Sequence, residues 1–399
     1  MNLAVIRCRL LESNVYLAAL LMLAIYVSTS LAVILSSVVC LLWLLTGEFK
    51  QLPALVNRNP VAASALFLWL CFVLGLSYTP VSYDVAWSMV MKYRELLFIP
   101  IFMALLATAR ARAWVWLAFV VASLVILGIS FLMEVGVLAL NKHGAPSFKS
   151  HITHSIFISF FAFYCAHKAY DSGRYAKLYA AGLLISVYNL FFVVDGRTGQ
   201  LTVLLLAVLF GVQRLTKKML MIGMLVLAVL FGLFLGFSDK AVRIHEGLAS
   251  TQAYWGKHPE KSEFSMGERF TFWRYSSKLI AEKPLFGHGT GSYVHEYERV
   301  GRSEHVTSNN PHNEFLMVTV QLGALGLCVY LGFLGSQWYL AKQLPKPEQY
   351  LAQGVLLTLL VTSLFNSPLM DHAEGHWFAL MIALCFATAQ TKHKEAVNA

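Results

Sequence analysis

Long apolar runs recur along almost the whole chain, and they leave little room for any architecture other than a bundle of membrane helices. An α-helix needs about 20 apolar residues, at a rise of about 1.5 Å each, to cross a hydrocarbon core about 30 Å thick. About twelve segments meet or approach that length. The clearest lie near 60–78, 114–136, 176–194, 199–213, 219–237, 315–341 and 377–390, and weaker ones near 15–27, 30–46, 95–109, 154–167 and 351–365. Of the 399 residues, 58% are hydrophobic and only 13% are charged, against roughly 25% charged in a typical soluble domain. The expected fold class is all-α: a polytopic membrane protein of about twelve transmembrane helices with one large outer loop.

Lys and Arg fall in short clusters between the apolar runs. A net charge of +10 is therefore read as membrane topology, with no stripe suited to nucleic acid. One side receives Arg7 and Arg9, Lys50 and Arg58, Arg110 and Arg112, Lys168, Arg174 and Lys177, Arg214, Lys217 and Lys218, Lys342 and Lys346, and Lys392 and Lys394. The other side holds Lys142, Lys149 and Arg197 in its short connections, with Lys92 and Arg94 at the entry to a span. By the positive-inside rule both termini are expected to be cytoplasmic. Arg7 and Arg9 precede an apolar stretch from Val15 to Leu45 without a cleavage-site pattern, so the first span is expected to be retained. Three regions follow: spans one to nine over 1–237, a large outer loop over 238–313, and spans ten to twelve with a cytoplasmic tail over 314–399. Six scattered cysteines, without CxxC or Cys/His spacing, give no expectation of a disulfide or a zinc site. No internal repeat marks the halves of a transporter, and polar groups gather at the outer boundary instead of the midplane.

Within the loop, Glu268 to Ile280 alternates Phe272, Trp273, Leu279 and Ile280 with Arg269, Arg274 and Lys278, an amphipathic helix suited to a membrane surface. Asn309-Asn310-Pro311-His312-Asn313-Glu314 stands where this loop enters the long span near Phe315. Asn310 as N-cap and Pro311 at the first helical position would put His312 in the first turn, where the helix dipole favours neutral imidazole. A neutral imidazole is what a general base needs, and a plain polar helix start is the alternative. Arg197, in Val194-Asp195-Gly196-Arg197-Thr198-Gly199, suits phosphate oxygens, with glycines allowing a ligand close; pairing with Asp195 or snorkelling is the alternative. Arg269, Arg274, Lys92 and Arg94 are further cations that could converge on a diphosphate, although Arg94 can instead pair with Glu95. Gly287-His288-Gly289-Thr290-Gly291-Ser292 could form an anion-binding nest, but lacks a P-loop ending. His295-Glu296-Tyr297-Glu298-Arg299 places Arg299 where HExxH needs its second histidine, and the outer turn holding His372 and His376 guarantees no shared face for metal binding.

These residues resemble the O-antigen ligase family, part of a superfamily that includes O-antigen polymerases and bacterial O-linked oligosaccharyltransferases. His312-Asn313, nine residues from Glu314 to Leu322, then Gly323-Ala324-Leu325-Gly326 look like the ligase signature His-Asn, nine residues, Gly-x-x-Gly. Arg269 to Trp273 resembles the family's Arg-x-x-x-Trp, and Pro284 to Gly291 its Pro-x-x-Gly-x-Gly-x-Gly. The turn Gly196 to Thr198 is similar to its earlier arginine site, while the first 80 residues carry no matching motif. The resemblance implies transfer of O-antigen polysaccharide from undecaprenyl diphosphate to a lipid A core sugar, on the periplasmic face of a Gram-negative inner membrane, without metal, nucleotide or other cofactor. His312, Arg197 and Arg269 would be catalytic, and Asn313, Arg274, Lys92, Arg94, Gly289 and Gly291 would bind substrate. A polymerase or protein O-oligosaccharyltransferase would use the same donor, and a lipid-glycan transporter would have a similar number of spans.

Overall fold

The computed structural model describes residues 3–141, 144–171, 173–256, 266–301 and 308–387. Lys142, Lys392 and Lys394 of the charge pattern lie outside them. Among the described residues the chain is all helical. The α-helices are α1 (Leu3–Val27), α2 (Thr29–Leu45), α3 (Leu52–Arg58), α4 (Pro60–Leu74), α5 (Tyr83–Lys92), α6 (Glu95–Leu105), α7 (Ala109–Glu134), α8 (His151–Asp171), α9 (Ala176–Tyr188), α10 (Arg197–Arg214) and α11 (Lys217–Phe237). They continue with α12 (Val242–Trp255), α13 (Met266–Glu282), α14 (Tyr293–Gly301), α15 (Glu314–Ala341), α16 (Lys346–Phe365) and α17 (His372–Phe386). Polar residues set several starts: Asn59 before Pro60, Thr108, Thr216 and Asp371 each accept a backbone amide of the following first turn. Such caps contribute about 1 kcal/mol each.

Among the described residues, each apolar segment read from the sequence is mainly helical. Six helices among the described residues are long and apolar enough to cross a membrane unaided, or seven if the pair bent by 83° at Thr29–Leu45 and Glu48–Arg58 counts as one span. The difference from about twelve has a physical cause. Every residue of α17 from Ala373 to Phe386 is buried, as are most of α8 and half of α16. Helices enclosed by others can be short, as α6 (11 residues) and α17 (15 residues) are, or can carry Ser, Thr and His that lower hydropathy, as α8 does, whereas α11, apolar all round, buries Phe234 alone and presents the rest outward. Trp377 of α17 stacks on Phe157 of α8 with ring centroids 5.1 Å apart and donates to the Tyr26 hydroxyl of α1, which satisfies its indole N–H inside the core.

Helix α15 breaks at Gly323, whose φ of 65° and ψ of −163° belong to a region that only glycine occupies without strain. The break releases backbone groups that the loop 284–289 takes up. His288 N donates to Val320 O at 2.9 Å and Gly289 N to Gln321 O at 2.8 Å, while Ala324 N donates to Pro284 O at 2.8 Å. Irregular backbone in a spanning helix survives only where protein supplies the missing partners. The two glycine motifs recognised in the sequence are thus two halves of one lock.

Candidate active site

His312 has φ 50°, the one positive φ at a non-glycine residue among the described residues. Holding a non-glycine residue there costs about 1–3 kcal/mol and marks a place where surrounding contacts dictate the backbone. Those contacts are specific. His312 N donates to Asn310 Oδ1 at 2.8 Å, Ser367 Oγ donates to the same oxygen at 2.9 Å, and Trp273 Nε1 donates to Pro311 O at 3.0 Å. The N-cap of α15 is Asn313, whose Oδ1 accepts from Leu316 N and whose Nδ2 donates to Leu364 O. The expected cap at Asn310 with Pro311 at the first position is therefore corrected: His312 precedes the helix, because Asn310 spends its side chain on the turn itself.

Helix α13 supplies the opposite wall. Arg269, Phe272 and Trp273 fall at i, i+3 and i+4, one helical face. Trp273 anchors that face to Pro311 and Phe272 lies beside the His312 ring, with centroids 6.3 Å apart and planes 27° from parallel, so Arg269 is carried to the histidine. Burial most strongly, and then the positive charge of Arg269, lower the His312 pKa below the ordinary imidazole range, with the nearby Asn366 side chain opposing them. Imidazole neutrality thus comes from desolvation and a neighbouring cation, not from a place in the first helical turn. Arg269 is itself pushed down to about 10 by burial and by the charge of Arg197. Arg197 begins α10, with its pKa lowered by burial and by Arg243, and Nη1 donates to Arg243 O at 3.3 Å. Sequence reasoning missed Arg243, which stands in the first turn of α12, a helix with no strong apolar period. His312, Arg269 and Arg197 therefore form one electrostatic cluster. Residues 180–331 match the family model described as O-antigen ligase.

The matched segment contains Arg197, Arg269, His312 and the Gly323 lock. A candidate polysaccharide ligase of Rickettsia bellii (strain RML369-C) is 27% identical over 173 residues, 40% of this chain and 40% of the relative. Another, from Rickettsia conorii (strain ATCC VR-613 / Malish 7), is 33% identical over 76 residues, 17% of this chain and 18% of the relative. The aligned stretches thus cover less than half of either relative.

Several expected contributors to the site lie elsewhere. The amides of Gly289 and Gly291 are committed to Gln321 O and Gln321 Oε1, so the loop forms no anion nest from them; a Cβ on Gly289 would lie 2.4 Å from Thr79 Cα, and one on Gly291 2.8 Å from Ala86 Cα. These glycines serve close packing. Gly196 and Gly199 likewise make room for Ser155 of α8 instead of a ligand. Arg274 is exposed and its guanidinium lies 5.0 Å from the Tyr275 ring centre, outside the face that Arg269 shares with Trp273. Arg94 sits 3.9 Å from Glu95, as the alternative had it. Tyr93 brings the segment holding Lys92 to the start of α15 by donating to Glu314 Oε1 at 2.7 Å. The apolar face of α13, expected on a membrane surface, is covered by protein: Phe272 and Tyr275 pack edge-on to Tyr297 of α14.

Ligand-type groups do cluster at Glu282, His288 and Glu296. Arg299 bridges both carboxylates, with Nε 2.6 Å from Glu296 Oε2, so a cation already fills that centre. His372 and His376, expected in a loop, lie in the first turns of α17 and both turn towards Glu95, at 2.8 and 3.2 Å.

One substitution separates the site from the fold. A Cβ on Gly247 of α12 would stand 2.5 Å from Arg197 Nη1, the end of a flexible side chain that can move aside. Gly247→Ala should leave thermal stability unchanged or raise it by up to about 1 kcal/mol through helix propensity. Any activity that depends on Arg197 should fall about tenfold or more because the guanidinium is displaced. Parallel melting curves and initial rates check the two opposite signs.

Proposed function

We propose that this protein is an O-antigen ligase: a polytopic inner-membrane glycosyltransferase that moves O-antigen polysaccharide from undecaprenyl diphosphate to a sugar hydroxyl of the lipid A core. The observation carrying this reading is the electrostatic cluster of His312, Arg269 and Arg197, inside the segment that matches the O-antigen ligase model. Twelve spans with both termini cytoplasmic would put the region 238–313 in the periplasm, between nine spans and the final three. The geometry of α15 supports that arrangement. Below Gly323 the helix runs from Ala324 to Ala341, which at about 1.5 Å per residue is close to the thickness of the hydrocarbon. Glu314 to Leu322 would then stand at the outer rim with His312 beyond it.

The donor is already activated by its diphosphate, so the protein has to neutralise a leaving group and remove a proton. In this mechanism the acceptor oxygen attacks the anomeric carbon while His312 takes its proton. The bond from that carbon to the diphosphate oxygen breaks, its electron pair leaves with the lipid diphosphate, and Arg197 and Arg269 hold the charge that grows there. A single displacement inverts the anomeric configuration. Arg243 adds cationic field, and Asn313 fixes the helix start behind the histidine.

Purified protein given lipid-diphosphate glycan and lipid A core should form the linked product with inverted configuration. Absence of transfer to core, with repeats joined to one another instead, would make the protein a polymerase. Deletion strains give the same distinction: loss of a ligase leaves polymer made but unattached, and loss of a polymerase leaves core with single repeats. Between the loop arginines, Arg269→Gln should cost about 10²–10³-fold in turnover and Arg274→Gln less than about threefold; equal losses would remove the geometric assignment.

A further inference from the structure

We propose that Asn189 and Gln200 are positioning residues that aim the Arg197 guanidinium at the leaving diphosphate, acting through a buried π-turn between α9 and α10. The inference deepens the reading above and rests on it. Past Tyr188 the chain widens into the π-turn Asn189–Val193, in which Val194 N reaches back five residues to Asn189 O at 2.8 Å. Gly196 N then donates to Val194 O at 2.8 Å, and α10 starts at Arg197. Such a turn is rare, and inside a membrane bundle it persists only where neighbouring groups take up the backbone partners that it displaces. Gln200, in the first turn of α10, does so directly: its Nε2 donates to Leu190 O at 3.1 Å, which ties the helix bearing Arg197 to the turn before it.

Asn189, fully buried, anchors the same turn to α7 and α8, and one carbonyl fixes the sense of its bonds. Ser130 Oγ of α7 donates its single hydrogen to Pro146 O at 2.6 Å, so towards Asn189 it can only accept, from Nδ2 at 2.9 Å. Asn189 Oδ1 is thereby turned to His154 Nε2 of α8 at 2.9 Å, and that ring nitrogen must carry the proton. Helix α8 also closes on the start of α10: a Cβ on Gly196 or Gly199 would lie within 2.4 Å of a Ser155 side-chain atom. The backbone on both sides of Arg197 is therefore held from within the bundle. Its guanidinium then meets a reciprocal contact with α12, Arg197 Nη1 donating to Arg243 O at 3.3 Å and Arg243 Nη1 to Asp195 O at 3.1 Å. Burying two amides carries a desolvation cost that apolar residues would not, and both amides serve one irregular turn whose exit is Arg197.

The test is a double-mutant cycle on kcat, measured with purified full-length protein, lipid-diphosphate glycan and lipid A core. Gln200→Met, close in size but without an N–H, and Asn189→Leu should each lower kcat about 10- to 100-fold, the range for a charged group misplaced by about 1 Å. The KM for lipid A core should change less than about threefold, since Arg197 acts on the donor side. In an Arg197→Gln background each substitution should cost less than about twofold further, because the group that it positions is gone. A merely structural role predicts the opposite: the losses would multiply in the double variants. Multiplying losses, or unaltered kcat in both single variants while Arg197→Gln is impaired, would overturn the positioning role and leave the ligase reading standing. Full activity of Arg197→Gln would instead remove the reading on which the inference rests. If Asn189→Leu does not accumulate as folded protein, Gln200→Met decides alone, since it releases a single carbonyl of the turn.

Discussion

Replacing His312 with alanine is expected to reduce turnover by about 10²–10⁴-fold, the range for loss of a positioned general base. Alanine also changes the cost of the left-handed backbone at this position, so His312→Asn is the sharper variant: asparagine enters that region more readily than most residues and has no basic nitrogen. Both should accumulate as folded protein and show the same kinetic defect. The pH dependence follows from the sign of the shift. Burial and Arg269 lower the His312 pKa, so the free enzyme keeps a neutral base at pH 7. Activity falls only as pH drops through a value below about 6.5, the unperturbed imidazole. Arg269→Gln should move that acidic limb of kcat/KM to higher pH even while turnover falls, because a repelling cation has gone. Retention of more than a tenth of the activity in His312→Asn would leave the proton acceptor to be sought elsewhere.

Much of this was legible because membrane folding writes its constraint directly into composition. About twelve apolar segments could be read, and among the described residues each is mainly helical, since a backbone in hydrocarbon has few alternatives. What composition could not supply was which helices enclose others: α8 and α16 carry enough Ser, Thr and His or Gln to look weak, α17 reads as clearly apolar, and all three pack into the interior. At the site, the spacing Arg269 to Trp273 and the pair His312-Asn313 were legible because each is a local pattern. Trp273 meeting Pro311 is not local, nor is Ser367 meeting Asn310 across 57 positions of sequence. Glycine was the least readable residue. The same freedom from a side chain suits an anion nest, a helix crossing or a kink, and only the placement of Gln321, Ser155 and Thr79 decides among them.

That ambiguity makes Gly323 the position where the second large effect is expected. A Cβ there would lie 2.3 Å from both C and O of Leu285, backbone atoms that cannot rotate away. The φ and ψ of the kink add about 1–3 kcal/mol of strain for any other residue. Gly323→Ala must therefore either straighten α15, which withdraws Val320 O and Gln321 O from the amides of His288 and Gly289, or push the loop 284–291 off the helix. Either outcome separates α13, which ends at Glu282 just before that loop, from the His312 turn it abuts. The expected loss is at least about 3 kcal/mol, seen as little folded protein in detergent and a lowered melting point in what is recovered. Gly332→Ala is the internal control: it lies in the same helix with nothing within 4 Å of the added carbon, and should be neutral or gain up to about 1 kcal/mol. If Gly323→Ala melts like Gly332→Ala, the two glycine motifs are not a lock, and the nine residues between His312-Asn313 and Gly323 lose their mechanical explanation. If it melts early while Gly332→Ala does not, that spacing is the length of helix needed to set the histidine opposite Arg269.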